Sequence, residues 1–333
     1  MIKRILFSSQ SGVALLMVLF ITSIISIVGY GLFSLIINTS EDQKRYVSEQ
    51  SSLITILSLE SFALNYLNDE ANKKKLLVTS SDNSSPINFP LDRGSLDARI
   101  KDMSFCFNLN LLVTNDYLSQ SKTIDQDALN IFENLLKSFN IAEITISEIS
   151  SSLIDWVDLD NFPDKFDGAE DDYYQRLEKN VLTPSSDLTN VAELRKIRGV
   201  TEEIFNLIKP YICALPKTIS TININSMNVG KPNLLIALSN NELSTFEAEM
   251  IIKEIPLGGY QKIDQFLNQE IVNQKINSSY SRKILSTESD VFLLKTKITY
   301  DEFSFIMRSE IIDDGINLSV VSRKKGEELG VLK

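Results

Sequence analysis

Positions 13–37 are mostly apolar and carry no charged side chain, a run of 25 residues. As a helix it is about 37 Å long, enough to cross a hydrocarbon core of about 30 Å with some tilt. It is longer than the apolar region of an ordinary signal peptide, and no small-x-small cleavage site follows it. Lys3 and Arg4 precede the run, which predicts a cytoplasmic N-terminus and an exported remainder. Neither Pro nor Gly occurs from 32 to 85, and Leu53, Leu57, Phe62, Ala63, Tyr66 and Leu67 form one wide apolar stripe. The helix is therefore predicted to continue beyond the membrane to about residue 67. Residues 72–90 are polar and read as a loop.

The period then changes. Leu96, Ala98 and Ile100, followed by Phe105, Phe107, Leu109 and Leu111, predict one or two strands within 95–113. Residues 125–274 have helical spacing with short loops, as in Ile131, Leu135, Leu136 and Phe139. Alternation returns at Phe292, Leu294, Thr296 and Ile298, with further strands predicted at 304–312 and 316–322. The charged residues 323–333 read as a mobile tail. Helix, strand, helical block and strands, in that order, predict an α+β chain whose sheet domain is interrupted by a helical insertion.

Composition narrows the chemistry. The 333 residues are 43% apolar and 23% charged, ample for a buried core. Lys and Arg number 33 against 44 Asp and Glu, a net charge of -11, which argues against nucleic-acid binding. Histidine is absent, so Ser-His or Cys-His catalysis and His-ligated zinc are excluded. No phosphate-cradling Gly loop or nucleophile elbow occurs, and the chain is not expected to be an enzyme. The two cysteines, Cys106 and Cys213, are either one bridge or two buried thiols.

The charge is concentrated. Asp155, Asp158, Asp160, Asp164, Asp167, Glu170, Asp171 and Asp172 lie within eighteen residues, opposed only by Lys165. Folding so many like charges into a turn is unfavourable unless a cation neutralises them, and a hard cation with six to eight oxygen ligands suits carboxylates. An EF-hand does not match: counted from Asp158, the sixth position is Pro163, where Gly is required. Spacing alone leaves calcium and a solvated acidic loop both open.

Two further segments carry turn chemistry. In Val191-Ala192-Glu193-Leu194-Arg195-Lys196-Ile197-Arg198-Gly199-Val200-Thr201, a helix runs into a Gly turn and a Thr N-cap. Thr221-Ile222-Asn223-Ile224-Asn225-Ser226 opens a second unit, with helices predicted at 234–238, 245–254 and 263–267. Helix-hairpin-helix units often hold DNA phosphates on backbone N–H groups. Here Arg195, Lys196 and Arg198 are answered by Glu193, Glu202 and Glu203, which favours structural use.

Several separated motifs resemble one family. Gly12-Val13-Ala14-Leu15-Leu16-Met17-Val18-Leu19 looks like the start of a type IV pilin-like protein. The fifth residue after Gly12 is Met17, where most such proteins have glutamate; the same departure is typical of the K-type minor pseudopilins of the type II secretion system. Leu153-Ile154-Asp155-Trp156-Val157-Asp158-Leu159-Asp160, the Gly168-Ala169-Glu170-Asp171 run, Phe107-Asn108-Leu109-Asn110 and Thr221 to Ser226 are similar to that family's pattern.

The resemblance implies a type IV pilin-like fold, a long N-terminal helix plus antiparallel sheet, with an inserted helical domain of two SAM-like units. It implies cleavage between Gly12 and Val13 by a prepilin peptidase, and calcium held by Asp158, Asp160, Glu170 and Asp171, with Asp164 and Asp172 as weaker candidates. Asp155, next to Trp156, is expected to be structural. The expected function is capping of the pseudopilus tip from the inner membrane, with the large domain in the periplasm and I- and J-type minor pseudopilins as partners. Met17 is the expected tip determinant. The alternative is a membrane-anchored periplasmic helix-hairpin-helix module that binds DNA. The expected divisions are leader 1–12, membrane span 13–37, stem and first strands 38–113, helical units 114–220 and 221–285, terminal strands 286–322 and tail 323–333.

Overall fold

The computed structural model describes residues 11–326 apart from 71, 74–86, 117, 120, 178, 179, 301 and 302. Residues 1–10, most of the expected leader, and 327–333, the end of the expected tail, lie outside the described residues. Helix α1, Ser11–Leu67, is one unbroken element of 57 residues, on the order of 85 Å long. None of its most apolar N-terminal window is covered by the rest of the chain. That part has the length and composition of a membrane span.

The distal part of α1 lies on a five-stranded antiparallel sheet. The strands are β1 (Ile87–Leu91), β2 (Gly94–Asp102), β3 (Val291–Tyr300), β4 (Phe303–Asp313) and β5 (Leu318–Lys325), and they neighbour one another in that order. Ile56, Ala63 and Leu67 of α1 meet Leu96, Ala98, Phe292, Leu294, Ile298, Met307 and Ile311. The buried face of α1 includes Ser52, Ile56, Glu60, Ala63 and Leu67. The predicted stripe is thus displaced: Leu57 and Phe62 are exposed, and polar Glu60 is buried instead. Burial of Glu60 is possible because Ser309 and Arg323 hold its carboxylate.

Three sequence expectations change here. Strand β1 begins within the predicted loop and ends one residue beyond it; it is an edge strand with an almost wholly exposed face, so it leaves no alternation of burial. Pro90 is tolerated there because an edge strand needs fewer donors. Strand β5 extends through Arg323 to Lys325, so the tail begins later than expected. The first pilin-like strands end at Asp102, and Phe107, Leu109 and Val113 join the helical core.

Residues 103–290 leave the sheet after β2 and return to it at β3. The exits are adjacent, because Asp102 is paired with Phe292 in register. Met103 N–H donates to Val291 O at 2.9 Å, and Ser104 Oγ accepts from the Asp290 and Val291 N–H groups, each at 3.0 Å. Asp102 closes this neck by accepting from the Ser226 and Ser289 hydroxyls.

The insertion contains two units built alike. Phe107–Asn108 pairs in parallel with Ile212–Cys213, and Ile222–Asn223 pairs in parallel with Leu285–Ser286. In each, the second Asn of an Asn-x-Asn pair bridges buried backbone. Asn110 donates to Leu188 O and Leu215 O and accepts from Leu188 N–H; Asn225 donates to Tyr260 O and Thr287 O and accepts from Tyr260 N–H. The first unit holds α2 (Gln126–Lys137), α3 (Glu143–Val157), α4 (Asp171–Tyr174) and α5 (Glu202–Ile208). The second holds α6 (Asn233–Leu238), α7 (Thr245–Lys253), α8 (Ile263–Leu267), α9 (Glu270–Lys275) and α10 (Ser279–Ile284). One hydrophobic cluster runs through both units. Cys106 and Cys213 are joined as a disulfide with Cα atoms 5.8 Å apart, beside the neck.

Candidate metal centre

Helix α3 carries its acids at the wrong end. Asp155 is in its last turn and Asp158 is its C-cap, with no basic residue in that turn. The C-terminus of a helix carries partial negative charge, so carboxylates there need compensation from outside the helix. The chain then loops back to Glu170, which precedes α4. Asp155, Asp158 and Glu170 are all buried, and each offers a carboxylate oxygen within 4.8 Å of those of the other two.

The loop is held in place by bonds that leave these oxygens free. Asp164 N–H donates to Asp155 Oδ1 at 2.7 Å, and Phe162 N–H donates to Asp160 Oδ1 at 2.9 Å. Ser147 Oγ holds Asp167 Oδ2 at 2.9 Å. From the next turn, Arg198 donates to Glu148 Oε1 at 2.6 Å and to Gly168 O at 3.2 Å. That turn pivots on Gly199, with φ +85°, a region that favours glycine. Thr201 caps α5 through Ile204 N–H, and the preceding segment, Val191–Lys196, is a 3-10 helix instead of the predicted α-helix. Arg195 pairs with both oxygens of Glu202 at 2.9 Å. Both arginines of the proposed hairpin are thus engaged internally.

Asp155 Oδ2, Asp158 Oδ1 and both oxygens of Glu170 are buried without a hydrogen-bond partner. Burial raises Asp155 and Asp158 to about 6, and Glu170 to about 8, with neighbouring carboxylates adding to each shift. Lys122 Nζ lies 2.6 Å from Asp158 Oδ2 and 3.5 Å from Asp160 Oδ2. Burial works against its charge, but Asp158 and Asp160 outweigh that and hold its pKa up. One ammonium does not balance three buried carboxylates. The donor set is all oxygen, which fits a hard divalent cation such as calcium and not a thiolate- or imidazole-seeking metal.

The sequence-derived ligand set is only partly assembled. Asp158 and Glu170 converge, and Asp160 is linked to them through Lys122. Asp171 is turned away: its Oδ1 accepts from the backbone N–H and hydroxyl of Thr183 at 2.8 and 2.9 Å. Asp155 takes its place in the cluster, so it is not merely a support for Trp156. The signal was present, since Asp155 and Asp158 are three apart and share a helix face. Asp164 contributes its N–H to Asp155. Lys122 and Asn115, whose Nδ2 donates to Val157 O at 2.8 Å, come from the hairpin Val113–Asp116 and Ser121–Ile124. No local pattern announced either residue. At the other end of the chain, Ser11, Gly12 and Val13 have helical backbone, and the side chains of Val13 and Met17 are exposed on the apolar part of α1.

These features define a pilin-like protein with, among the described residues, one candidate membrane helix, and with a large, carboxylate-bearing helical insertion. The family model described as "Type II secretion system (T2SS), protein K" matches residues 105–217. The chain is 26% identical over 323 residues to type II secretion system protein K of Pectobacterium carotovorum subsp. carotovorum, covering 96% of this chain and 97% of that one. It is 27% identical to the protein K of Klebsiella pneumoniae, covering 95% and 97%. Its fold matches a chain in the crystal structure of the GspK–GspI–GspJ complex from enterotoxigenic Escherichia coli with a TM-score of 0.68 and 26% identity, covering 86% of this chain and 99% of that chain. In sequence and in fold the chain is thus similar to type II secretion system protein K along most of its length.

Proposed function

We propose that this chain is a minor pseudopilin of the type II secretion system, one that caps the tip of the pseudopilus and helps to initiate its assembly. The observation that carries the reading is the insertion of residues 103–290 between β2 and β3. It outweighs the sheet domain that bears it, and such bulk is hard to repeat around a tightly wound shaft but fits at an end. Met17 supports the same position. In pilin-like filaments a glutamate at the fifth mature residue pairs with the amine of an adjoining subunit. A carboxylate without that amine is costly in an apolar setting, so an apolar residue suits a subunit with no neighbour above it.

In this reading a prepilin peptidase cuts between Gly12 and Val13. The chain waits in the inner membrane with its sheet and insertion in the periplasm, and I- and J-type minor pseudopilins bind it. The solved relative supports these partners, since it is a complex with GspI and GspJ. Asp155, Asp158 and Glu170 would hold calcium, with Asp160 nearby; the ion would supply positive charge that fastens the loop of residues 158–170 to α3. Labelling the insertion and imaging assembled filaments tests the proposal. Signal at one end supports it, and signal along the shaft refutes it.

A further inference from the structure

The carboxylate cluster has a cation of its own. Lys122 Nζ is 2.6 Å from Asp158 Oδ2, with the lysine side chain only 18% exposed. Its placement is one-sided: it takes Asp158 Oδ2 and leaves Asp158 Oδ1, Asp155 Oδ2 and both Glu170 oxygens without partners. Lys122 therefore leaves four buried carboxylate oxygens of the cluster without a hydrogen bond. It reaches Asp158 from a hairpin separated from α3 in sequence but packed against its C-terminal end through Asn115 and Val157.

We infer that Lys122 is a built-in counter-cation that keeps the acidic loop folded before metal arrives and, in doing so, lowers the affinity of the site for a divalent cation. The inference rests on the metal reading given above. Without metal, the ammonium is the nearest compensation for Asp158 and Asp160, so it stabilises the loop. With metal, the ammonium and the ion share one carboxylate and repel each other across it. Removal of the lysine charge must then act with opposite signs in the two states. An ordinary structural salt bridge would give no such reversal, since its loss would loosen the site and weaken both.

The test uses the full chain in detergent, with Lys122→Gln and Lys122→Met. Glutamine keeps an N–H donor for Asp158 Oδ2 while removing the charge; methionine removes both. Calcium is titrated by calorimetry, and melting is followed in calcium and in chelator. Both variants are expected to bind calcium about tenfold or more tightly and to melt at a lower temperature than wild type in chelator. Lys137→Gln, which removes an exposed partner of Glu143, is expected to leave calcium affinity unchanged. A dissociation constant that is unchanged or weaker in both Lys122 variants overturns the inference while the metal reading stands. A wild-type chain and variants that all take up no calcium overturn the metal reading and this inference with it.

Discussion

Arg323 on the last strand grips Glu60 on the stem helix: Nη2 lies 2.8 Å from Oε2, and Nε lies 3.0 Å from each carboxylate oxygen. The Glu60 side chain is 3% exposed and that of Arg323 is 45% exposed. A carboxylate is thus buried between helix and sheet with its countercharge reaching in from the edge. Ser309 completes its shell at 2.6 Å.

Arg323→Ala should therefore cost more than a surface pair would. Loss of the guanidinium leaves a charged carboxylate in an apolar contact, an effect of about 2 to 4 kcal/mol once the solvent access of Arg323 is allowed for. Glu60→Gln in the same background should recover part of that loss. Chemical denaturation of the two variants in detergent measures both; equal stability of wild type and Arg323→Ala would show that the pair does not anchor the stem.

The alternation of β3 and β4 was legible in the sequence because each strand buries one face, and the length of α1 because a charge-free run leads into a stretch without Pro or Gly. The edge strand β1 was not, since its residues are almost all exposed. Phe105 to Leu111 misled for a different reason: their alternation comes from a two-residue bridge and a 3-10 turn that send side chains into the helical core. The acidic loop could be located, but its inward members could not be chosen. Which carboxylate faces in depends on Thr183 capturing Asp171 and on Lys122, 36 residues from Asp158, arriving from a hairpin.

The metal-free protein should lose stability as the pH rises. Asp155, Asp158 and Glu170 are raised by burial from 3.8, 3.8 and 4.5 to about 6, 6 and 8. The folded state therefore binds more protons than the unfolded state between about pH 4 and 8, and stability falls across that window. Calcium needs the deprotonated carboxylates, so its stabilising effect should grow over the same range. Melting temperatures in chelator and in calcium, from pH 4.5 to 8, should diverge with increasing pH. Parallel curves would contradict the buried cluster as the titrating unit.

The disulfide should matter through the span it closes. Cys106 and Cys213 are 107 positions apart and tie the start of the first helical unit to its end beside the sheet. Closing such a loop removes about 4 to 5 kcal/mol of unfolded-state entropy in the chain-entropy model. Unreduced, denatured protein from an oxidising compartment should show no alkylatable thiol, and the Cys106→Ser, Cys213→Ser double variant should unfold at lower denaturant concentration. Two free thiols in the unreduced protein would be incompatible with the bridge.

Gly168 gives the sharpest test of the cluster, because its role is spatial. A Cβ at this position would lie 2.1 Å from Asp155 Oδ2 and 2.9 Å from both the backbone nitrogen and oxygen of Asp164. Asp155 Oδ2 is one of the unpartnered oxygens, and Asp164 N–H fixes the other oxygen of the same carboxylate. Even the smallest side chain must therefore push Asp155 out of the cluster or lift the loop from α3. The lift would also strain the bond from Arg198 to Gly168 O, which joins the loop to the next turn. Gly168→Ala should abolish most of the calcium-induced rise in melting temperature, and overpacking should cost about 1 to 3 kcal/mol in chelator. Gly230→Ala is the matched control, since its Cβ would meet only Asn228 Oδ1 at 3.5 Å. That variant should respond to calcium like wild type. A full calcium response in Gly168→Ala would mean that the ion binds elsewhere than between Asp155, Asp158 and Glu170.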